Sequence, residues 1–198
     1  MSITIISGSP SPSSRSARLL GFVQNELANA GHDVNILHLR DLPAQSLLRA
    51  NYFDVVIGAA VSRVKTASAI VVGTPVYKAA YSGLLKAFLD LLPQDGFRGK
   101  VVLPIATAGS PSHGLALDYA LRPVLQSMSP QQILPGVYAT DRQVYWDDQV
   151  GLTLDADVER RLLESAADLS RLLLASEVAK PVSHEFEPVE FSAVRCST

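Results

Sequence analysis

A β-branched run, Ile3-Thr4-Ile5-Ile6, passes directly into Ser-Gly-Ser-Pro-Ser-Pro-Ser-Ser-Arg-Ser (residues 7–16) and then into a helical pattern starting near Ala17. This junction constrains the chain more than any other stretch. A buried strand that turns through a hydroxyl-rich loop into a helix makes an anion site, because the first N–H groups of the helix lack partners and its dipole favours negative charge. Ser9, Ser14 and Ser16 add hydroxyls, and Arg15 adds a planar cationic fork suited to phosphate. Serines cap helices routinely, but capping does not call for several of them with an arginine and two prolines in one turn. The loop reads as a phosphate cradle. Its only glycine is Gly8 and it has no lysine, so neither G-x-x-x-x-G-K-[ST] nor G-x-G-x-x-G is present. That argues against an ATPase, and against a dinucleotide fingerprint in this turn.

Strand and helix patterns then alternate. Leu19, Leu20, Val23 and Leu27 give a helix over Ser16–Ala30 that stops at Gly31, and Val34–Leu37 is a short second strand. Pro43–Phe53 reads as an irregular connection and Asp54–Val64 as a helix capped by Asp54. Ala69–Thr74 is a third strand, apolar enough to be covered on both faces, followed by a helix over Ser82–Leu92. Val101–Ala106 is the fourth strand, His113–Met128 a helix, Gln132–Tyr138 the fifth strand and Asp155–Ala175 a long last helix. The expected fold is an α/β, doubly wound, parallel sheet of five strands with right-handed crossovers. Residues 1–178 form one domain, and 179–198 a C-terminal tail with Phe186 and Phe191 among prolines and glutamates. Two readings stand for that tail: a mobile end, or an arm that docks its phenylalanines on a neighbouring surface.

Composition excludes several partners. A formal net charge of −2 leaves no basic footprint for nucleic acid. The single cysteine, Cys196, permits no disulfide within the chain and reads as an incidental tail thiol. No apolar run reaches the roughly 18 residues that a membrane helix needs, and no leader precedes the first strand, so a cytoplasmic protein is expected. His32, His38 and His184 show no metal-ligand spacing, so no metal is expected.

In a doubly wound sheet, ligands bind beyond the carboxyl ends of the strands where the strand order reverses. The loops after strands one, three and four therefore matter. They are the phosphate cradle, Thr74-Pro75-Val76-Tyr77-Lys78-Ala79-Ala80-Tyr81-Ser82-Gly83, and Thr107-Ala108-Gly109-Ser110-Pro111-Ser112-His113. A phosphate site beside two small-residue loops, one bearing tyrosines, suits a flat aromatic ligand with one phosphate, such as flavin mononucleotide (FMN).

Gly8-Ser9-Pro10 with Ser14-Arg15-Ser16, and Pro75 to Gly83, resemble the NAD(P)H-dependent FMN reductase family. Within it, the nearer likeness is to the reductases of two-component alkanesulfonate monooxygenase systems. Lys100-Val101-Val102-Leu103-Pro104 and Leu117-Asp118-Tyr119-Ala120-Leu121-Arg122-Pro123 carry the resemblance further, over residues 3–145. It implies a flavodoxin-like fold with strand order 2-1-3-4-5 and reduction of FMN by NADPH or NADH. The reduced flavin would pass to a partner monooxygenase that desulfonates sulfonates during sulfur scavenging. Carried over by position, Ser9, Ser14, Arg15 and Ser16 hold the phosphate. Pro75, Val76, Tyr77 and Lys78 line the ring, and Thr107, Ala108 and Gly109 lie on its other side.

Other roles remain open at this level. Tyr81 is equally a half-buried aromatic, Lys78 equally a solvated charge, and His113 a helix-cap hydrogen-bonder more readily than a catalyst. No catalytic side chain is assigned, since hydride transfer to flavin draws its chemistry from the cofactor. The rival functions are a flavodoxin-like electron carrier and a quinone or azo-dye reductase of the same fold. Pro123 carries one more expectation. It removes the N–H that would meet the Tyr119 carbonyl and crowds that carbonyl, which leaves two outcomes: a π-turn that relieves the clash and turns Tyr119 outward, or a simple kink with Tyr119 packed in its own core. The resemblance implies that this tyrosine lies at the interface of a homotetramer, beside a neighbouring subunit's flavin.

Overall fold

The computed structural model describes residues 1–178, so the tail from 179 onward, with the two readings given for it, lies outside the described residues. Strand β1 (Ser2–Ser7) leads to helix α1 (Arg15–Asn29) and β2 (Asp33–His38). A 3-10 turn and a short α2 (Ala44–Leu48) lead to α3 (Val55–Thr66), so the stretch expected to be irregular holds one turn of helix. Strand β3 (Ala69–Tyr77) folds back on β4 (Ala80–Tyr81) before α4 (Gly83–Leu89) and β5 (Val101–Ala108). A 3-10 turn (Pro111–His113), a π-helical turn (Leu117–Leu121) and α5 (Arg122–Ser127) replace the continuous helix expected over His113–Met128. Strands β6 (Gln132–Ile133) and β7 (Val137–Thr140), the hairpin β8 (Val144–Asp147) and β9 (Gly151–Leu154), and α6 (Ala156–Val178) complete the order.

The parallel sheet runs β2-β1-β3-β5, with β6 and β7 following one another along the far edge of β5. Counted as the sequence counts strands, that order is 2-1-3-4-5, the flavodoxin-like arrangement. The fifth strand is split. Val102 pairs with Ile133 and Ile105 with Val137, so Leu134-Pro135-Gly136 stand opposite two residues of β5. Pro135 cannot donate to the ladder, and the extra residue is absorbed as a bulge.

Alternation along β1 sends Ile3 and Ile5 to one face and Ile6 to the other, which is why the run carries isoleucines for both faces, and the buried Thr4 hydroxyl is met by Arg63 O at 3.2 Å. On the first face, Leu19, Leu20, Val23 and Leu27 of α1 and Val158, Leu162, Leu169 and Leu173 of α6 pack on Val71, Leu103 and Ile105. On the second, Ile57 and Val64 of α3, Leu85 and Phe88 of α4 and Leu117, Leu121 and Leu125 cover Val72 and Val102. Gly73 lets α1 approach the sheet, because a Cβ there would lie 2.5 Å from Leu20 Cδ1. Lys100, from one of the resembling runs, ties the start of β5 to α3. Its buried Nζ donates to Lys65 O (2.9 Å) and Ala67 O (2.6 Å) at the C-terminal end of that helix. Burial pushes its pKa down from the usual lysine value.

The β8–β9 hairpin has no counterpart among the elements read from sequence. Asp147 Oδ1 accepts from the N–H groups of Gln149 and Val150, and Gly151 closes the turn at φ +86°. The Arg18 guanidinium lies 4.4 Å from the centroid of the Trp146 ring and pins the hairpin to α1.

Candidate functional site

At the carboxyl ends of β1, β3 and β5 the three loops singled out from sequence come together. The first is built around Ser14, which caps α1 by accepting from Ala17 N–H (3.2 Å) and also meets the Ser16 hydroxyl at 3.2 Å. Ser9 Oγ accepts from Ser11 N–H and donates to Ser11 O, both at 3.2 Å. Ser9 and Ser16 have no exposed surface. Their hydroxyls meet other groups of the same loop, Ser9 at Ser11 and Ser16 at Ser14. Ser14 is partly exposed and the Arg15 side chain is 45% exposed, so these two present the loop's donors to solvent.

The second loop is shorter than the sequence suggests, because β3 continues through Pro75 and Val76 to Tyr77. Tyr77 therefore stands on a strand end paired with Ala80, not on a free surface loop. Between them Lys78 and Ala79 take φ values of +49° and +62°, the type I′ geometry of a two-residue hairpin. Neither is the Gly or Asn that such turns favour, and backbone strain of this kind clusters at ligand sites. Val76 and Tyr81 pack partly on the core, which makes Tyr81 a half-buried aromatic, whereas Tyr77 is 50% exposed and Lys78 is exposed.

The third loop follows β5. Pro75 pairs in register with Thr107, so these two residues and Ala108 form a buried floor, with Gly109 exposed at its edge. The Tyr138 hydroxyl donates to Ser110 O and holds the loop in place. Burial, with Asp141 adding to it, raises the Tyr138 pKa above the ordinary phenol value. His113 is exposed in the 3-10 turn.

Two residues that sequence reasoning did not assign join the loops together. Ser82, the N-cap of α4, accepts from Leu85 N–H (3.1 Å) and donates to Gly8 O (2.5 Å), while its own N–H donates to Thr74 Oγ1 (2.9 Å). Gly8 N–H donates to Gly73 O (2.8 Å), and a Cβ on Gly8 would fall 2.9 Å from Leu85 Cβ. The cradle is thus fastened to β3 and to the start of α4. The sequence signal for Ser82 was its place before a helix; its partner Gly8 lies 74 positions away and left no local sign. The other residue is Asp141, just beyond β7, whose Oδ2 lies 3.3 Å from Arg15 Nη1 and 3.7 Å from where a Cβ of Gly109 would sit. The switch-point argument drew attention to the loops after strands one, three and four, and Asp141 follows the fifth.

Of the two outcomes open at Pro123, the π-turn is the one present. Arg122 N–H donates to Leu117 O, five residues back, across the turn Leu117–Leu121. Tyr119 is 80% exposed, and the turn packs beside β4, next to the Tyr77 hairpin. A cleft of about 550 Å³ between α1 and the β8–β9 hairpin, lined by Arg18, Phe22, Trp146 and Leu152, shares no residue with this convergence.

The residues fit a phosphate-bearing planar ligand. A capped helix N-terminus and a half-exposed arginine supply phosphate donors, a small-residue floor leaves room above Thr107 and Ala108, and a tyrosine stands at the rim. The sequence matches the family model "NADPH-dependent FMN reductase" over residues 1–144. It is 44% identical over 146 residues to an FMN reductase (NADPH) of Escherichia coli (strain K12), covering 73% of this chain and 75% of the relative. An FMN reductase (NADPH) of Pseudomonas putida (strain KT2440) is 43% identical over 166 residues, covering 83% and 84%. The crystal structure of an NADH:FMN oxidoreductase (EMOB), apo form, superposes with a TM-score of 0.79 at 38% identity, covering 86% of this chain and 89% of that one.

Proposed function

The chain belongs to the NADPH-dependent FMN reductase family, and from that premise we propose how its residues divide the reaction. It is an oxidoreductase that reduces FMN at the expense of a nicotinamide nucleotide. Ser9, Ser14, Arg15 and Ser16, with the first N–H groups of α1, hold the flavin phosphate, and the bonds of Ser9 to Ser11 and of Ser14 to Ser16 keep the loop in shape. Pro75, Val76, Tyr77 and Lys78 line one side of the ring site, and Thr107, Ala108 and Gly109 the other. FMN, when bound, supplies the ring that accepts hydride from the nicotinamide. The chain contributes orientation, and the small residues Gly109 and Ser110 leave a face open for stacking. The observation that carries this reading is the convergence itself: a capped, arginine-bearing helix start fastened by Ser82 to the strand that ends in Tyr77.

The test is oxidation of NADPH and of NADH with and without added FMN. Fast oxidation that depends on free FMN is expected. Tightly copurifying FMN without turnover would favour the electron-carrier reading, and quinone turnover far above flavin turnover would favour a quinone reductase.

Three further assignments belong to the same reading. The reduced flavin passes to a partner monooxygenase, in the manner of sulfonate-desulfonating systems; the exposed rim at Tyr77, Lys78 and Gly109 supports a flavin that comes and goes. The protein works in the cytoplasm, which suits its single cysteine; no described helix is long and apolar enough to cross a membrane. The chain assembles as a homotetramer in which Tyr119 meets a neighbouring subunit near its flavin. A tyrosine this exposed, on a π-turn beside the hairpin of the site, and next to Leu115 at 64% exposure, supports that interface. Tyr119→Ala is expected to shift the assembly toward smaller species in sedimentation and to weaken flavin retention with it. A tetramer with normal FMN affinity and turnover would reduce Tyr119 to an exposed side chain without that role.

A further inference from the structure

We propose that Asp141 sets how long FMN stays, by competing with the flavin phosphate for Arg15. The proposal rests on the phosphate reading of Arg15 given above. Asp141 and Arg15 meet through one N–H edge, Nη1 to Oδ2 at 3.3 Å, and both side chains remain 45% exposed. A guanidinium has five N–H donors in a rigid plane, so a single long contact leaves donors free for a second anion. The pair is therefore a holding position and not a closed bidentate bridge. The carboxylate also lies 3.7 Å from the point a Gly109 Cβ would occupy, which puts it between the phosphate loop and the loop over the ring site.

A phosphate monoester arriving at Arg15 brings roughly −1.5 to −2 charges beside a fixed carboxylate. Two anions sharing one cation repel each other, and at a half-exposed site the repulsion is moderate and screened by salt. A resident flavin would be served better by a neutral neighbour. A flavin handled as a substrate has to leave after reduction, and a carboxylate that reclaims Arg15 favours departure. Affinity changes of this kind appear mainly in the dissociation rate.

The experiment compares FMN with riboflavin, which lacks the phosphate, in fluorescence titrations and stopped-flow release measurements on the wild type, Asp141→Asn, Asp141→Glu and Arg15→Ala. Asp141→Asn keeps the side-chain shape and removes the charge. It is expected to bind FMN about tenfold more tightly, mostly through slower release, with a gain that shrinks as salt rises and with riboflavin changed by less than about twofold. Asp141→Glu should stay close to the wild type. If Asp141→Asn binds FMN equally well or more weakly, Asp141 only positions Arg15 and the proposal fails, while the phosphate reading survives. If Arg15→Ala fails to weaken FMN relative to riboflavin, the phosphate reading falls, and the proposal with it.

Discussion

Replacing Arg15 with alanine weakens FMN binding by about 1.5–3 kcal/mol, roughly ten- to hundredfold, while leaving riboflavin nearly unaffected. The guanidinium is carried by the first residue of α1, immediately after the Ser14 cap, where unpaired N–H groups and the helix dipole already favour an anion. Its removal takes away charge-assisted hydrogen bonds and leaves the Asp141 carboxylate facing an incoming phosphate without the cation between them. Folding stability should hardly move, because a half-exposed ion pair contributes about 0–1 kcal/mol. Parallel FMN and riboflavin titrations and one thermal unfolding curve separate the two effects. An unaltered FMN dissociation constant would remove Arg15 from the phosphate site.

Most of the architecture was legible because it rests on local pattern. The apolar runs at Ile3–Ile6, Ala69–Thr74 and Val101–Ala106 place strands that are covered on both faces, and the spacing of Leu19, Leu20, Val23 and Leu27 places α1. The disturbance at Tyr119 was legible for a different reason: Pro123 takes away one defined hydrogen bond, which a kink or a π-turn could answer, and the chain answers by bonding Arg122 N–H to Leu117 O. What escaped depends on partners distant in sequence or on turns with the wrong residues. Lys78 and Ala79 give no Asn-Gly signal, so the β3–β4 hairpin looked like a loop. The β8–β9 hairpin has little apolar alternation to mark it, since Tyr145 is 63% and Trp146 47% exposed. The fifth strand reads as continuous until Pro135 and Gly136 are set against β5. The candidate site divides in the same way. Arg15, Tyr77 and Gly109 could be chosen from motif and loop position, whereas Asp141 and the Ser82–Gly8 bond exist only once the sheet is assembled.

The Ser82–Gly8 bond yields the largest expected loss of stability. Ser82 is 1% exposed, and its hydroxyl caps α4 at Leu85 N–H while donating to the Gly8 carbonyl. In Ser82→Ala the cap is lost, at about 1 kcal/mol, and a buried carbonyl is orphaned at about 1–3 kcal/mol, for roughly 2–4 kcal/mol in all. For a chain of this size that is a fall of roughly 5–15 °C in Tm, measurable by calorimetry and by denaturant titration. FMN binding should fall with it, because Gly8 opens the phosphate loop and Ser82 fixes where that opening stands relative to β3 and Tyr77. Ser82→Thr, which keeps the hydroxyl, should recover most of both. The joint response is the telling feature, since Ser82 acts on flavin only through the loop it holds. A Ser82→Ala variant of normal stability that nevertheless lost FMN would mean the hydroxyl touches the flavin directly. One with lowered stability and unchanged FMN affinity would mean that the cradle keeps its shape without α4.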